Sequence, residues 1–144
     1  MPNHMIRPAR EQDAASIARL ATQLGYPVSE DEIKSRLRRL LANSNDIVLV
    51  AESNALLAGW IHGVVSQLLE SDLRIEIGGL VVDENFRRQG IGCDLVHLVE
   101  QWALEKGIKQ ISVRCNSKRL EAHQFYQKLG YRSAKTQTAF RKQL

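Results

Sequence analysis

The segment from Leu80 to Trp102 constrains the fold of this chain more than any other part of it. A short apolar run, Leu80–Val82, leads into a polar loop at positions 83–92 that carries arginines and glycines. A long helix follows, because one apolar stripe continues at helical spacing through Ile91, Leu95, Leu98, Val99 and Trp102. A strand that runs through a glycine loop into a helix favours an α/β fold.

The start of this helix predicts a binding site for a phosphate group. The first backbone N–H groups of a helix have no partner within it, and the helix dipole places partial positive charge there. Gly90 and Gly92 carry no side chain to block close approach, while Arg87 and Arg88 add full charges. The loop is neither a Walker motif nor the dinucleotide GxGxxG. Alternatively, Arg88 is solvated and the glycines only form a turn.

Hydrophobic spacing in the first third of the chain predicts a strand and two helices. Met5 to Arg7 could form a short strand, and an amphipathic helix follows from Asp13, a plausible N-cap, to Leu24. Ser29 and Glu32 form a capping box, which opens a second helix.

Three extended runs then predict strands. The runs at 47–51 and 58–65 are separated by a turn and predict an antiparallel hairpin. The run Leu73–Val82 is interrupted by Gly78-Gly79, and glycines inside a strand often mark a bulge.

The last third of the chain predicts one more helix between strands. Residues 111–115 alternate as in a half-buried strand, a short helix should end at Gly130, and one or two strands are expected over Tyr131–Phe140. The order is therefore β-α-α-β-β-β-α-β-α-β, and we expect a single domain over residues 1–144.

Composition narrows the class of protein. With 44% hydrophobic residues and no apolar run near the roughly 18 residues that span a membrane, we expect a cytoplasmic protein without a membrane segment. The net charge of +4 suits an anionic ligand, either a small molecule or nucleic acid. The four histidines are scattered, so no metal site is expected, and Cys93 and Cys115 suggest no disulfide scaffold.

Taken together, the motifs resemble the GNAT N-acetyltransferase superfamily. Arg87-x-x-Gly90-x-Gly92 after the strand Leu80–Val82 is similar to the acetyl-CoA motif of that family. The family's opening resembles Ile6-Arg7-Pro8-Ala9 with Asp13, and its downstream pattern resembles Asn116, Ala122, Phe125, Tyr126, Gly130 and Tyr131. The resemblance spans nearly the whole chain, and it implies a mixed, mostly antiparallel central sheet flanked by helices.

The resemblance also implies how acetyl-CoA would bind. Its pyrophosphate would lie on the backbone amides of Arg87, Arg88, Gln89, Gly90, Ile91 and Gly92. Its pantetheine arm would pair like an extra strand with Leu80, Val81 and Val82, beside the bulge at Gly78-Gly79. Asn116 either contacts the coenzyme or only caps the next helix.

Two side chains are candidates for the chemistry. Strand alternation places Glu76 opposite Ile75 and Ile77, and its position resembles that of the glutamate with which family members deprotonate amines through water. The alternative is a solvated strand glutamate. Tyr126 is similar to the family tyrosine whose hydroxyl faces the sulfur, and the alternative is a core aromatic. We expect Phe125 to fill the core and Tyr126 to face elsewhere.

The leading functional hypothesis is an enzyme that moves an acetyl group from coenzyme A to a primary amine by direct attack in a ternary complex. The alternative is an acyl-CoA-binding or sensor module of the same fold with weak turnover. Nucleic-acid binding is disfavoured, because the arginines on the second helix fit a solvated face. The acidic segment 24–35 favours a cationic acceptor, whose identity stays open. A homodimer is expected, since the C-terminal strand region has no obvious cover.

Overall fold

A five-stranded sheet organises the first of the two units into which the chain divides, Met1–Val113 and Arg114–Leu144. The computed structural model describes residues 4–115 and 120–144. The strands lie side by side in chain order: β1 (His4–Pro8), β2 (Asp46–Ser53), β3 (Leu56–Ser66), β4 (Arg74–Val82) and β5 (Ile111–Val113). Neighbouring strands are antiparallel from β1 to β4, whereas β5 runs parallel to β4. The expected mixed, mostly antiparallel sheet is confirmed.

Helices cover both faces of this sheet. Helices α1 (Ala14–Gln23) and α2 (Glu30–Leu41) pack on one face, over a core of Ala9, Ala14, Ile17, Leu20, Leu37, Val48, Val50, Leu57 and Val81. Helix α3 (Ile91–Glu105) lies on the other face, where its fully buried side chains include Leu95 and Val99. Short 3-10 turns precede α1 at Glu11–Asp13 and α3 at Glu84–Phe86. Among the described residues, no helix combines the length and the apolar character needed to cross a membrane.

The predicted cap of α2 is confirmed. The Ser29 hydroxyl oxygen accepts a hydrogen bond from the Glu32 backbone N–H at 3.1 Å, which gives one of the helix's first amides a partner. The predicted hairpin is also confirmed. Its two-residue turn consists of Asn54 and Ala55 with φ values of 53° and 66°, the left-handed backbone that a tight hairpin requires.

Asp13 occupies the N-cap position of α1, but its side chain does not cap the helix. Instead the carboxylate accepts two hydrogen bonds of 2.8 Å from the Arg7 guanidinium and one of 2.8 Å from the Arg10 backbone N–H. Burial raises the pKa of Asp13, but these bonds outweigh burial and leave the pKa below its ordinary value. Arg7 also donates to Glu52 at 2.9 Å, so it ties β1 to β2 and to the start of α1.

The described residues of the second unit contain one helix, α4 (Leu120–Lys128), and as expected the chain turns out of it at Gly130, where φ is 94°. The strands expected over Tyr131–Phe140 are wrong, because residues 131–144 form neither helix nor strand. A strand needs a partner for its backbone groups and a face to bury. Residues 132–144 are exposed, and even Phe140 is 91% exposed, so the local alternation is not backed by burial.

Candidate functional site

The loop between β4 and α3 combines left-handed backbone with the start of a helix. Arg88 and Gly90 have φ values of 65° and 80°, and Gly90 is the N-cap of α3. A Cβ built on Gly90 would meet no atom within 4 Å, so the space beside the first amides of the helix is open. Ile91 is buried at 1% exposure, which anchors the helix start in the core. Turns that combine left-handed residues with a helix start direct several N–H groups to one point.

Asp83, the first residue of this loop, is held in place by hydrogen bonds to its side chain. Its buried carboxylate accepts hydrogen bonds from the Asn85 backbone N–H at 2.9 Å and from the Arg19 guanidinium at 3.0 Å. Burial raises the pKa of Asp83, but the bonds from Asn85, Arg19 and Gln23 more than compensate and lower it. Arg19 also donates to the Leu57 carbonyl at 3.2 Å, so the loop is fastened to α1 and β3.

The side chains around the loop fit an anionic group. Arg87, Arg88 and Gln89 are exposed next to the amides of Gly90 and the first residues of α3. The structure therefore brings the predicted phosphate-binding residues, 87–92, together at one helix start. That they hold a pyrophosphate stays a prediction.

The edge of β4 beyond the bulge is open in the described part of the first unit. β5 pairs with β4 only from Ile75 to Ile77, and no described strand pairs with that edge at Leu80–Val82. On its other edge this segment pairs with β3, and Val81 is buried under α1 and α2. An extended ligand could therefore add to the sheet here through backbone hydrogen bonds, as the sequence predicts.

The expected bulge lies immediately before this open edge. His62 pairs with Gly79 and Gly63 pairs with Ile77, which leaves Gly78 as the extra residue. A Cβ on Gly79 would lie 2.8 Å from the ring of Trp60, so a larger residue there would force the ring to shift. Glycine at position 79 leaves room for the indole of Trp60, whose buried Nε1 has no hydrogen-bond partner among the described residues.

Glu76 lies on the sheet face opposite α3, as strand alternation predicts. A Cβ on Gly63 would contact Val99 of α3, so Gly63 and its partner Ile77 face that helix. Ile75 and Ile77 are buried at 0% and 3% exposure, and Glu76 between them is partly exposed on the other face. Its role as a base stays a prediction.

The sequence analysis missed a polar pair on the same face. His62 Nε2 lies 2.8 Å from the Oδ1 of Asp46, and the Asp46 side chain is only 7% exposed. The two residues are 16 positions apart in the sequence. They come together because Asp46 pairs with Val64 across the hairpin, and His62 lies two residues from Val64 on the same face of β3. The alternation of the two strands could have placed them on one face, but no local motif singles them out.

Tyr126 is buried within the second unit, at 9% exposure. Its ring meets Phe125 edge to face at 5.0 Å and Tyr131 at 5.6 Å between centroids. The expectation that Phe125 fills the core in place of Tyr126 is wrong, since Tyr126 is the more buried of the two. Both rings sit on one short helix that exposes most of its surface, so the inner position goes to the ring flanked by two others. The role of the hydroxyl as an acid stays a prediction, and Asn116 lies outside the described residues.

The remaining sequence-based expectations concern charge and metals. Arg36 pairs with Glu32 at 3.3 Å, and Arg38 pairs with Glu11 at 2.5 Å, so part of the positive charge on α2 is compensated. Among the described residues, no cluster of three or more histidine, cysteine, aspartate or glutamate side chains could hold a metal ion.

Comparison with known proteins gives a family and a fold. Residues 12–131 match the model of the acetyltransferase (GNAT) family. No curated protein sequence matches the chain significantly.

Solved structures share the fold over nearly the whole chain. One is a transcriptional regulator from Bacillus halodurans, with 21% identity, a TM-score of 0.86, and coverage of 96% of this chain and 99% of the other. A second is AAC(6')-Iy in complex with a bisubstrate analogue of coenzyme A and acetylneamine, with 17% identity, a TM-score of 0.85, and coverage of 98% and 99%. A third is an aminoglycoside acetyltransferase from an uncultured soil metagenomic sample, in complex with trehalose, with 25% identity, a TM-score of 0.81, and coverage of 99% and 97%.

Proposed function

Since the chain belongs to the acetyltransferase (GNAT) family, we propose that it transfers an acetyl group from acetyl-CoA to a primary amine. The observation that carries this proposal is the open space beside the start of α3, directly after an edge of β4 with which no described strand pairs. The pyrophosphate and the extended pantetheine arm of coenzyme A need such a pair of neighbouring sites. We propose that residues 87–92 hold the first and Leu80–Val82 the second. The structure of AAC(6')-Iy with its coenzyme A analogue supports this choice of donor.

The proposed reaction is a direct attack in a ternary complex. The acceptor ammonium loses a proton, its nitrogen attacks the thioester carbonyl carbon, a C–N bond forms and the C–S bond breaks. The nitrogen then loses a second proton, and the thiolate of coenzyme A takes one up. We assign Glu76 to accept a proton from the nitrogen, directly or through water, and Tyr126 to donate one to the thiolate. A backbone N–H of Leu80–Val82 would stabilise the carbonyl oxygen as negative charge develops on it.

We propose a cationic acceptor. The first turn of α2 carries three exposed acidic residues, Glu30, Asp31 and Glu32, and Tyr26 before it is 65% exposed. Acidic groups at a helix start also stabilise the helix, so this charge serves the fold as well. Aminoglycosides, which neighbouring structures are named for, are polycationic and come first among the amines to test.

The deciding experiment measures thiol release from acetyl-CoA with a panel of aminoglycosides, amino sugars, polyamines and amino acids. We expect release with at least one cationic amine, and a lower rate in Glu76→Gln than in Glu105→Gln, an exposed control at the end of α3. If the chain binds acetyl-CoA but no amine releases thiol, the sensor alternative replaces the enzyme.

We further propose that residues 1–144 form one GNAT domain, that the protein acts in the cytoplasm, and that two copies assemble. Cys93 is a free cysteine, which suits a reducing compartment. The exposed C-terminal segment, with Phe140 at 91% exposure and no strand, would gain a partner in a homodimer. Sedimentation at micromolar concentration that shows only the 16.3 kDa monomer would reject the dimer.

A further inference from the structure

The hydrogen-bonded pair of His62 and Asp46 has no role in the function proposed so far. The two atoms that join it, His62 Nε2 and Asp46 Oδ1, are 2.8 Å apart. The carboxylate is 93% buried, while the imidazole keeps 24% of its surface exposed. Burying a carboxylate costs free energy even when it is paired, and apolar residues would fill the site at a lower cost. Such a pair, on the sheet face that also carries Glu76, is therefore a candidate for function.

The hydrogen bond fixes which nitrogen of His62 can act. An ionised carboxylate only accepts hydrogen bonds, so Nε2 carries the proton and Nδ1 carries the lone pair. Nδ1 lies over the bulge of β4. A Cβ built on Gly78 would be 3.2 Å from Nδ1 and 3.7 Å from the neighbouring Cε1, so Nδ1 is the ring atom nearest the bulge.

The bulge separates the two parts of β4 that the proposed reaction uses. The open edge of β4 that we propose for the pantetheine arm, Leu80–Val82, begins one residue beyond Gly79. Glu76 lies on the other side of the bulge and on the same sheet face as His62. A basic nitrogen therefore lies beside the bulge that separates Glu76 from the edge that we propose for the donor.

We infer that His62 is a catalytic base of the acetyl transfer and that Asp46 is its positioning residue, an inference that rests on the function proposed above. The acceptor nitrogen sheds two protons in the reaction, one before it attacks and one after the C–N bond has formed. His62 Nδ1 accepts the first and passes it to solvent, and Glu76 accepts the second. The thiolate takes up one proton, so the net products are the amide, the free thiol and one proton. Imidazole suits the first step, because its reference pKa lies nearest neutrality.

Other charged groups share this face and are kept constant in the test. Strand alternation places Asp46 of β2 and both Arg74 and Glu76 of β4 on the side of His62. A base that must be neutral to accept a proton leaves an acidic limb in the pH profile of kcat. Changing only His62 leaves the side chains of these neighbours in place.

The experiment compares kcat from pH 5.5 to 9 for an amine that the wild type acetylates, with both substrates saturating. His62→Gln keeps a partner for Asp46 and should lose about 100-fold in kcat near neutrality, together with the acidic limb. Asp46→Asn should lose less in kcat and keep an acidic limb, because the imidazole base remains and only the carboxylate that orients it is removed. His97→Gln, on the exposed side of α3, is the matched control and should resemble the wild type.

Structural damage and chemistry are separated by two further measurements. Thermal unfolding and calorimetric binding of coenzyme A should be unchanged in His62→Gln, and added imidazole should restore part of the activity of His62→Ala. If the wild type is active and His62→Gln keeps its rate and its acidic limb, the inference is overturned while the proposed function stands. If the wild type binds acetyl-CoA but releases no thiol with any amine, the proposed function fails and the inference fails with it.

Discussion

Replacing Gly90 by aspartate tests the anion site at the start of α3. Gly90 has a φ of 80°, and a Cβ there would meet no atom within 4 Å. The substitution therefore causes no clash, and its cost to the fold is the left-handed backbone, about 1–2 kcal/mol. The new carboxylate would lie beside the amides that we propose to hold the pyrophosphate, and it should repel that group.

The size of the repulsion follows from the exposure of the loop. Two unit charges about 5 Å apart interact by about 0.8 kcal/mol in water and about 3.3 kcal/mol at an effective dielectric constant of 20. Residues 87–90 are exposed, so the value should lie between these limits, at about 1–2 kcal/mol. Coenzyme A should then bind about 5- to 30-fold more weakly.

Gly90→Asn is the matched control. Asparagine has nearly the size of aspartate and adopts the left-handed backbone at a similar cost, but it carries no charge. Calorimetry with coenzyme A at low and high salt would measure both variants, and the gap between them should narrow as salt screens the charge. Equal affinities of the two folded variants at low salt would refute the proposed pyrophosphate site.

The other predictions concern the bulge, the tyrosine and the buried carboxylates. Gly79→Ala should lower the free energy of unfolding by about 1–3 kcal/mol, because its Cβ would lie 2.8 Å from Trp60. Denaturant unfolding should show part of this loss recovered in Gly79→Ala/Trp60→Leu, and purely additive losses would contradict the contact. Tyr126→Phe should reduce kcat by about 100-fold with unchanged coenzyme A affinity, and an unchanged kcat with chemistry rate-limiting would exclude the hydroxyl as the acid. Asp13 and Asp83 have lowered pKa values, so their stabilisation is present above the ordinary aspartate pKa of about 3.9 and is lost as pH falls through the lowered values. Urea unfolding below about pH 4 should show a shallower decline in Asp83→Asn than in the wild type, and equal slopes would contradict this assignment.

The parts of the fold that could be predicted are those whose cause is local. The capping box at Ser29 and the apolar stripe of α3 act over a few residues, so the sequence displays them directly. The glycine pair of β4 also indicated the bulge correctly. The sequence did not show that a side chain at position 79 would press against Trp60, because Trp60 lies on a different strand.

Long-range pairing explains what could not be predicted. His62 and Asp46 meet only after the hairpin has set its register, and Arg19 reaches Asp83 across 64 positions. The strands expected over Tyr131–Phe140 were wrong because the prediction used only the local pattern. Alternation alone predicts an extended backbone, but a strand forms only where another edge accepts its hydrogen bonds.

The chain order of the sheet has a kinetic consequence. β2, β3 and β4 follow one another through a two-residue turn and a short connection, so their pairing closes small loops and should form early in folding. β5 joins only after α3 has crossed the sheet, and it contributes three residues. Its amides should therefore exchange with solvent sooner than those of the central strands. A donor that adds to β4 beside it would slow that exchange, so amide protection at Ile111–Val113 would report occupancy before any catalysis is measured.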